Sequence, residues 1–96
     1  MEQEAIRRLV DLFLQESDRL MHDIRGAIVD RDAERLRRSA HTLCGSVSNF
    51  PAGAARSTAA RMEAIGLEAD FDAATETLPL LEREIDRLRG LLPTLI

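Results

Sequence analysis

The sequence predicts an all-α protein that folds as an antiparallel up-and-down four-helix bundle. Apolar residues recur with a period of about 3.6 residues in four stretches, which is the spacing of a helix with one buried face. Short polar joints separate these stretches, and no alternating β-branched run or Asn-Gly hairpin turn occurs between them. The chain has 96 residues, a length typical of one domain, so we predict a single domain over 1–96.

The first two helices are predicted from two apolar stripes and the joint between them. This joint, Asp30-Arg31-Asp32, offers side-chain oxygens to the unpaired N–H groups that open a helix. Because the joint is short, the two helices are expected to be antiparallel neighbours. The stripe of the first helix contains Ile6, Leu9, Val10, Phe13, Leu14, Leu20, Met21, Ile24, Ala27 and Ile28. The stripe of the second contains Ala33, Leu36, Ala40, Leu43 and Val47.

The third and fourth helices have less regular signals at their ends. The third is expected to begin near Pro51, because proline is tolerated in a first helical turn, and to end at Gly66. Asp70 and Asp72 favour the start of the fourth helix. Pro79 lies inside that helix and predicts a kink or a restart. The stripe of the fourth helix contains Phe71, Ala74, Leu78, Leu81, Ile85, Leu88 and Leu92.

Composition and charge exclude several functional classes. The net charge is −4 and all three aromatic residues are Phe, so no nucleic-acid partner is expected. A single cysteine and an N-terminus without a basic, apolar leader indicate a cytoplasmic protein. The apolar runs are much shorter than the roughly 20 residues of a membrane span, so no direct membrane contact is expected.

His41 is the residue with the clearest chemical potential. It lies just outside the apolar stripe of the second helix, so its imidazole is expected to face solvent. A neutral imidazole is a good nucleophile, and nearby arginines stabilise a phosphoryl group in transit. Spacing alone, however, favours a surface histidine without a role. Its neighbours on the same helix face are Arg37, Arg38, Cys44, Gly45 and Ser48.

The motif around His41 changes that balance. Segment 39–50 resembles the signature of histidine-containing phosphotransfer (HPt) domains, A-H-x-L-K-G-S-x-x-N followed by an apolar residue. The matching positions are Ala40, His41, Leu43, Gly45, Ser46 and Asn49, with Phe50 in the apolar position. The resemblance covers nearly the whole chain and includes Phe13-Leu14-Gln15-Glu16 on the first helix, the acidic opening of the second over 32–36, and Met62-Glu63 on the third.

Two positions depart from the family pattern. The family usually has a lysine three residues after the histidine, where it orients and neutralises the phosphoryl group. Cys44 stands at this position, and the chain contains no lysine. Our hypothesis is that Arg37 and Arg38 supply the positive charge instead. Pro51 replaces the glycine that is common after the apolar position, so the start of the third helix is expected to differ.

The resemblance implies a relay function. A receiver domain carrying a phospho-aspartate docks on the bundle, His41 attacks the phosphorus through Nε2, and the aspartate of a second receiver later removes the group. The resemblance also implies no kinase activity and no cofactor of its own, since the receiver brings Mg²⁺. We expect no metal site on this chain either, because His22 and Asp18 form at most half of one.

The docking surface is expected on the first two helices around His41. In a hairpin that turns near residue 30, positions 41 and 45 lie opposite roughly 20 and 16. This register places Glu16, Arg19 and Asp23 at the rim of the surface, although each also fits a solvated helix face. A closed bundle buries its own stripes, so we expect a monomer.

Alternatives remain open at this point. Without the family lysine, the chain also fits an HPt-like adaptor that binds a receiver or kinase without being phosphorylated. A third interpretation is the substrate domain of a chemotaxis-type kinase, phosphorylated by a separate catalytic domain. The domain is either free or the cytosolic module of a membrane-bound hybrid sensor kinase. For the remaining polar residues, we expect Ser46 and Asn49 to help end the second helix and Cys44 to be a small apolar filler.

Overall fold

Four α-helices account for most of the chain in the computed structural model, which describes residues 2–95 and the side chains of 3–94. The helices are α1 (Glu2–Asp30), α2 (Ala33–Val47), α3 (Gly53–Glu68) and α4 (Phe71–Leu91), followed by a short 3₁₀ helix (Leu92–Leu95). No strand occurs in this part of the chain. The predicted all-α four-helix fold class is therefore confirmed. The single domain over 1–96 stays a prediction, and Met1 and Ile96 lie outside the described residues.

The helices pack as a square in chain order. Each helix contacts the helices before and after it, α4 contacts α1, and no contact joins the diagonal pairs within residues 2–95. The bundle measures 44 × 18 × 16 Å. At about 1.5 Å per residue, α1 alone accounts for the long dimension. Because α1 extends past its neighbours, Ile6 and Leu9 of its predicted stripe are 47% and 37% exposed rather than buried.

Aspartate caps begin two of the helices: the cap of α2 was predicted, whereas Asp70 was predicted only to favour the start of α4 by its charge. The Asp32 carboxylate accepts a hydrogen bond from the Arg35 backbone N–H at 3.1 Å, and Asp70 accepts one from the Ala73 N–H at 3.1 Å. Caps of this kind contribute about 1 kcal/mol each. By contrast, α3 begins at Gly53 without a side-chain cap, so the start expected near Pro51 comes two residues early.

A buried polar contact joins α1 to α4. Ser17 is fully buried and donates to the Leu14 carbonyl at 3.3 Å. Arg89 of α4 donates to the same carbonyl at 2.7 Å, bonds to the Ser17 hydroxyl and pairs with Asp18 at 3.1 Å. The one polar residue in the α1 stripe is therefore satisfied, which avoids the cost of an unpaired buried hydroxyl.

The predicted role of Gly66 is wrong. Gly66 is buried inside α3, which continues to Glu68, and Ala69 ends the helix in the left-handed conformation with φ 56°. A Cβ atom at Gly66 would lie 2.7 Å from the Arg37 backbone nitrogen and 2.9 Å from its Cα. The missing side chain therefore lets α3 approach the backbone of α2, which explains the glycine better than a helix stop does.

Pro79 does not restart α4. The helix is continuous from Phe71 to Leu91 with Pro79 inside it. Proline removes the hydrogen bond to the carbonyl four residues earlier, here Thr75, at a cost of about 3 kcal/mol in an isolated helix. Pro79 and Thr75 are both exposed, so water can bond to the Thr75 carbonyl. The buried stripe of α4 packs against the core on both sides of Pro79 and keeps the helix continuous. No helix within residues 2–95 has the length and apolar character needed to cross a bilayer.

Replacing Gly66 with alanine should separate α2 from α3. Overpacking of this kind costs about 1 to 3 kcal/mol, and the better helix propensity of alanine offsets only part of it. We expect the free energy of unfolding to fall by about 1 kcal/mol, measured by urea denaturation. Gly90→Ala is the control, because a Cβ there meets nothing within 4 Å, and it should not destabilise the protein. Equal stability of the two variants would contradict the close approach.

Candidate functional site

The outward position of His41 follows from the buried stripe of α2. Ala40 and Leu43, on either side of it in sequence, are fully buried and fix the rotation of the helix. The side chain of His41 is 69% exposed. The expected exposure of the imidazole is therefore observed, and a rigid helix rather than a loop carries it.

Glu63 on α3 orients the imidazole. Its Oε2 atom lies 2.9 Å from Nδ1 of His41. An ionised carboxylate can only accept hydrogen bonds, so Nδ1 carries the proton and donates. In the neutral ring this arrangement leaves the lone pair on Nε2, which makes no hydrogen bond to the described residues. The ring thus presents its unprotonated nitrogen to solvent.

Arg37 is engaged by a carboxylate on its own helix. Its Nε and Nη2 atoms donate to the two oxygens of Glu34 at 3.0 and 2.6 Å. The hydrogen bond from Arg37 holds the pKa of Glu34 below its ordinary value, and the same bond raises the pKa of Arg37. The charge of Glu63 raises the pKa of Arg37 a little further, so Arg37 lies near both carboxylates of the site.

Arg38 occupies the other side of His41, towards α1. It is exposed and forms no ion pair with the residues that the structure describes. It lines a polar groove of about 380 Å³ between α1 and α2. The other lining residues are Arg19, Leu20, Asp23, Arg35, Ser39 and Thr42. Of the two arginines predicted to replace the family lysine, Arg37 is therefore bound to a carboxylate and Arg38, among the described residues, is not.

Gly45 and Cys44 lie on opposite sides of the His41 face. Gly45 is exposed, and a Cβ there would meet nothing within 4 Å, so the surface is open one turn after His41. Cys44 is half-buried against the core, with its thiol 3.8 Å from the Arg56 carbonyl on α3, as expected of a small apolar filler. Ser48 caps α2, because its hydroxyl donates to the Cys44 carbonyl at 2.7 Å.

Ser46 and Asn49 divide between two roles. The Asn49 amide donates to the Ser46 carbonyl at 3.3 Å and helps to end α2, as predicted. The Ser46 hydroxyl instead donates to Glu16 on α1 at 3.2 Å, so its predicted role at the helix end is wrong. The reason is that residue 46 faces α1 across the hairpin.

The predicted rim residues lie on α1 opposite this part of α2. The bond between Ser46 and Glu16 agrees with the register in which position 45 lies opposite 16. Asp23 pairs with Arg19 at 3.5 Å and with Arg35 of α2 at 3.3 Å. The rim is therefore a network of paired charges rather than a row of free ones.

The metal-like pair on α1 does not assemble a site. His22 is exposed, and Asp18 is paired with Arg89. Within the described residues, no three His, Cys, Asp or Glu side chains are arranged to hold a metal ion. The absence of a metal site stays a prediction.

Comparison with known proteins identifies the family. Residues 8–91 match the family model of the Hpt domain. The chain belongs to the Hpt domain family. Hpt domains are phosphotransfer modules of two-component signalling that lack kinase activity of their own and interact with receiver domains. This family supports a phosphotransfer role and confirms the resemblance seen in the motif around His41.

A solved Hpt structure has the same fold. The chain is similar to histidine-containing phosphotransfer protein B (HptB) from Pseudomonas aeruginosa PAO1, with 26% sequence identity and a TM-score of 0.89. The match covers 98% of this chain and 81% of that one. No curated protein matches the chain.

Two features of this Hpt site were not predicted. Glu63 was singled out only as part of the family pair on the third helix, and its 22-residue separation from His41 carries no local signal. Glu34 was not singled out, although its i, i+3 spacing to Arg37 is a known signal for a helical ion pair. Glu63 gives His41 a hydrogen-bond acceptor, and Glu34 pairs with the arginine one turn before His41.

Replacing Glu63 with alanine should change the tautomer of His41. With the acceptor removed, Nδ1 loses its partner and the ring should shift towards the tautomer protonated at Nε2. The ¹⁵N chemical shifts of the ring nitrogens report this change directly. His22 is the internal control, since it makes no hydrogen bond to Glu63, and its shifts should stay constant. An unaltered His41 tautomer would show that Glu63 does not orient the ring.

Proposed function

We propose that His41 is the residue that carries the phosphoryl group, which it accepts from the aspartate of one receiver domain and passes to the aspartate of another. The observation that supports this most directly is the orientation of the exposed imidazole. Glu63 holds the proton on Nδ1, and Nε2 faces solvent with its lone pair free. An attacking atom on the surface of a rigid helix is accessible to a docked protein.

The transfer step needs no base on this chain. Nε2 attacks the phosphorus of the aspartyl phosphate, an N–P bond forms, and the P–O bond to the aspartate breaks. The aspartate leaves as a carboxylate, and the ring becomes an N-phosphoimidazolium that still carries its Nδ1 proton. The Glu63 carboxylate, 2.9 Å from Nδ1, stabilises the positive charge that develops on the ring. The second transfer reverses these bond changes on another receiver.

The arginines on α2 are proposed to stabilise the phosphoryl oxygens. Residues three and four apart on a helix are neighbours, about 5 to 6 Å between Cβ atoms, so Arg38 and Arg37 are both within reach of a group on His41. Long guanidinium side chains bind phosphate well. Cys44 contacts the Arg56 carbonyl on α3 and contributes no charge to the site. We propose no cofactor on this chain and Mg²⁺ in the acidic pocket of the receiver.

The proposed docking surface consists of Gly45, Arg38 and the α1 residues Glu16, Arg19 and Asp23. Gly45 leaves space for close approach of the backbone of another protein. The paired charges of α1 border this space on one side. We propose that the domain acts as a monomer. It is either free in the cytoplasm with its receivers or the cytosolic module of a membrane-bound hybrid kinase.

The His41→Gln variant should not become labelled by a receiver that carries ³²P on its aspartate. Glutamine keeps the polarity of the position but has no nucleophilic nitrogen at neutral pH. We expect uptake of label by the wild type and at least a 100-fold loss in the variant, a size typical of removing an essential nucleophile. The matched control is His22→Gln on α1, which should be labelled like the wild type. Label that survives His41→Gln would overturn the assignment.

The Gly45→Gln variant should fold normally and lose transfer. A side chain at this position enters open space, so the helix gains stability by up to about 1 kcal/mol. The same side chain obstructs a docked receiver, and we expect the rate of transfer from the receiver to fall about tenfold, or about 1.4 kcal/mol. Gly90→Gln on α4 is the matched control, because its Cβ position is equally open. Normal transfer by Gly45→Gln would place the docking surface elsewhere.

A receiver-binding adaptor is the second candidate. It is favoured by Cys44 in place of the family lysine and by the engagement of Arg37 with Glu34. An adaptor would bind the phosphorylated receiver without taking up label in wild-type form. The same labelling experiment therefore separates the two functions.

A further inference from the structure

We propose that Glu34 is a positioning residue that holds Arg37 away from His41 until a phosphoryl group on His41 competes for it. This inference rests on the proposed function, since it concerns the charge available to a phosphorylated His41. It assigns a role to a carboxylate that lies outside the motif of segment 39–50. The consequence is that, among the residues that the structure describes, Arg37 is bound to a carboxylate before phosphorylation and Arg38 is not.

The geometry of the pair supports this role. Glu34 is seven residues before His41 and Arg37 is four before it, so the three side chains follow one another along one face of α2. Two parallel hydrogen bonds, at 3.0 and 2.6 Å, join the guanidinium to the carboxylate. This bidentate contact has a specific geometry, and it uses the edge that a phosphoryl group would also bind.

Arg37 and Arg38 differ in a way that local sequence does not explain. Arg37 is half-buried and lines a groove of about 280 Å³ with Ala60, Glu63, Ala64 and Leu67 of α3. Arg37 therefore borders α3 on the side of His41 where Glu63 lies. Arg38 is exposed and unpaired among the described residues. Glu34 thus bonds to Arg37 alone, and only the longer-range effect of its charge reaches Arg38.

Partner exchange is favourable once the phosphoryl group is present. A phosphoryl group brings more negative charge and more acceptor oxygens than one carboxylate, so it attracts the guanidinium more strongly than Glu34 does. Glu34 is exposed on the other side of the pair and can return to water when Arg37 leaves. Glu34 therefore reduces the stabilisation of the phosphorylated form by the strength of its own contact with Arg37.

The inference can be tested without a receiver. Phosphoramidate is a small donor whose P–N bond breaks as ammonia leaves, while a new P–N bond forms to Nε2 of His41. We expect the Glu34→Gln variant to form phosphohistidine about threefold faster than the wild type, a ratio typical of releasing one exposed ion pair. The rate is measured by ³¹P NMR. The Glu34→Asp variant keeps the carboxylate and should stay near the wild-type rate.

Two controls separate competition for Arg37 from a general effect of charge. Glu76→Gln removes the same charge from α4, which does not contact α2, and should leave the rate unchanged. In an Arg37→Gln background, Glu34→Gln should raise the rate much less, because only the weaker, longer-range effect of Glu34 on Arg38 remains. An equal increase in that background, or no increase in the wild-type background, would overturn the inference.

The role of Glu34 and the relay function can fail independently in these experiments. If phosphoramidate labels His41 and phosphorylated receivers do not, the relay function is wrong and the test of Glu34 still applies. If receivers label the wild type and Glu34→Gln leaves the phosphoramidate rate unchanged, only the inference about Glu34 fails.

Discussion

The close approach of α3 to α2 at Gly66 is the constraint on which the site depends. The backbone of Arg37 lies where a side chain on Gly66 would be, at 2.7 Å from the position of its Cβ. The two helices are antiparallel, so the residue one turn after Arg37 faces the residue one turn before Gly66. These residues are His41 and Glu63, and their hydrogen bond of 2.9 Å follows from the separation of the two backbones. A residue that never touches the imidazole thus sets its orientation.

The site combines exposure with fixed geometry, two properties that usually exclude each other. Exposed side chains lose conformational entropy when they are held in one orientation, and a loop would hold His41 poorly. Here the buried stripe of α2 fixes the helix, and a carboxylate from α3 fixes the ring. Phosphoryl transfer between proteins requires mainly positioning and charge, so a four-helix scaffold is sufficient for it.

Sequence patterns predicted those helices whose signals are local. The helices α1, α2 and α4 and the cap of α2 at Asp32 are predicted from residues within a few turns, and all of them are observed. Gly66 was misinterpreted because glycine is common both past the end of a helix and at close helix contacts. Only the neighbouring helix distinguishes these two uses. The start of the α1 stripe was overestimated for a related reason, since periodicity does not show how far the partner helices extend.

In the candidate site, too, features of a single helix were predictable and contacts between helices were not. The position of His41 outside an apolar stripe, its flanking arginines and the open position at Gly45 are all properties of one helix, and the sequence by itself determined them. The tertiary structure alone decided that Glu63 contacts His41, that Ser46 bonds to Glu16, and that Arg37 shares a groove with residues of α3. These contacts join residues distant in sequence. They depend on the rotation and separation of packed helices, which arise from the fit of many side chains at once.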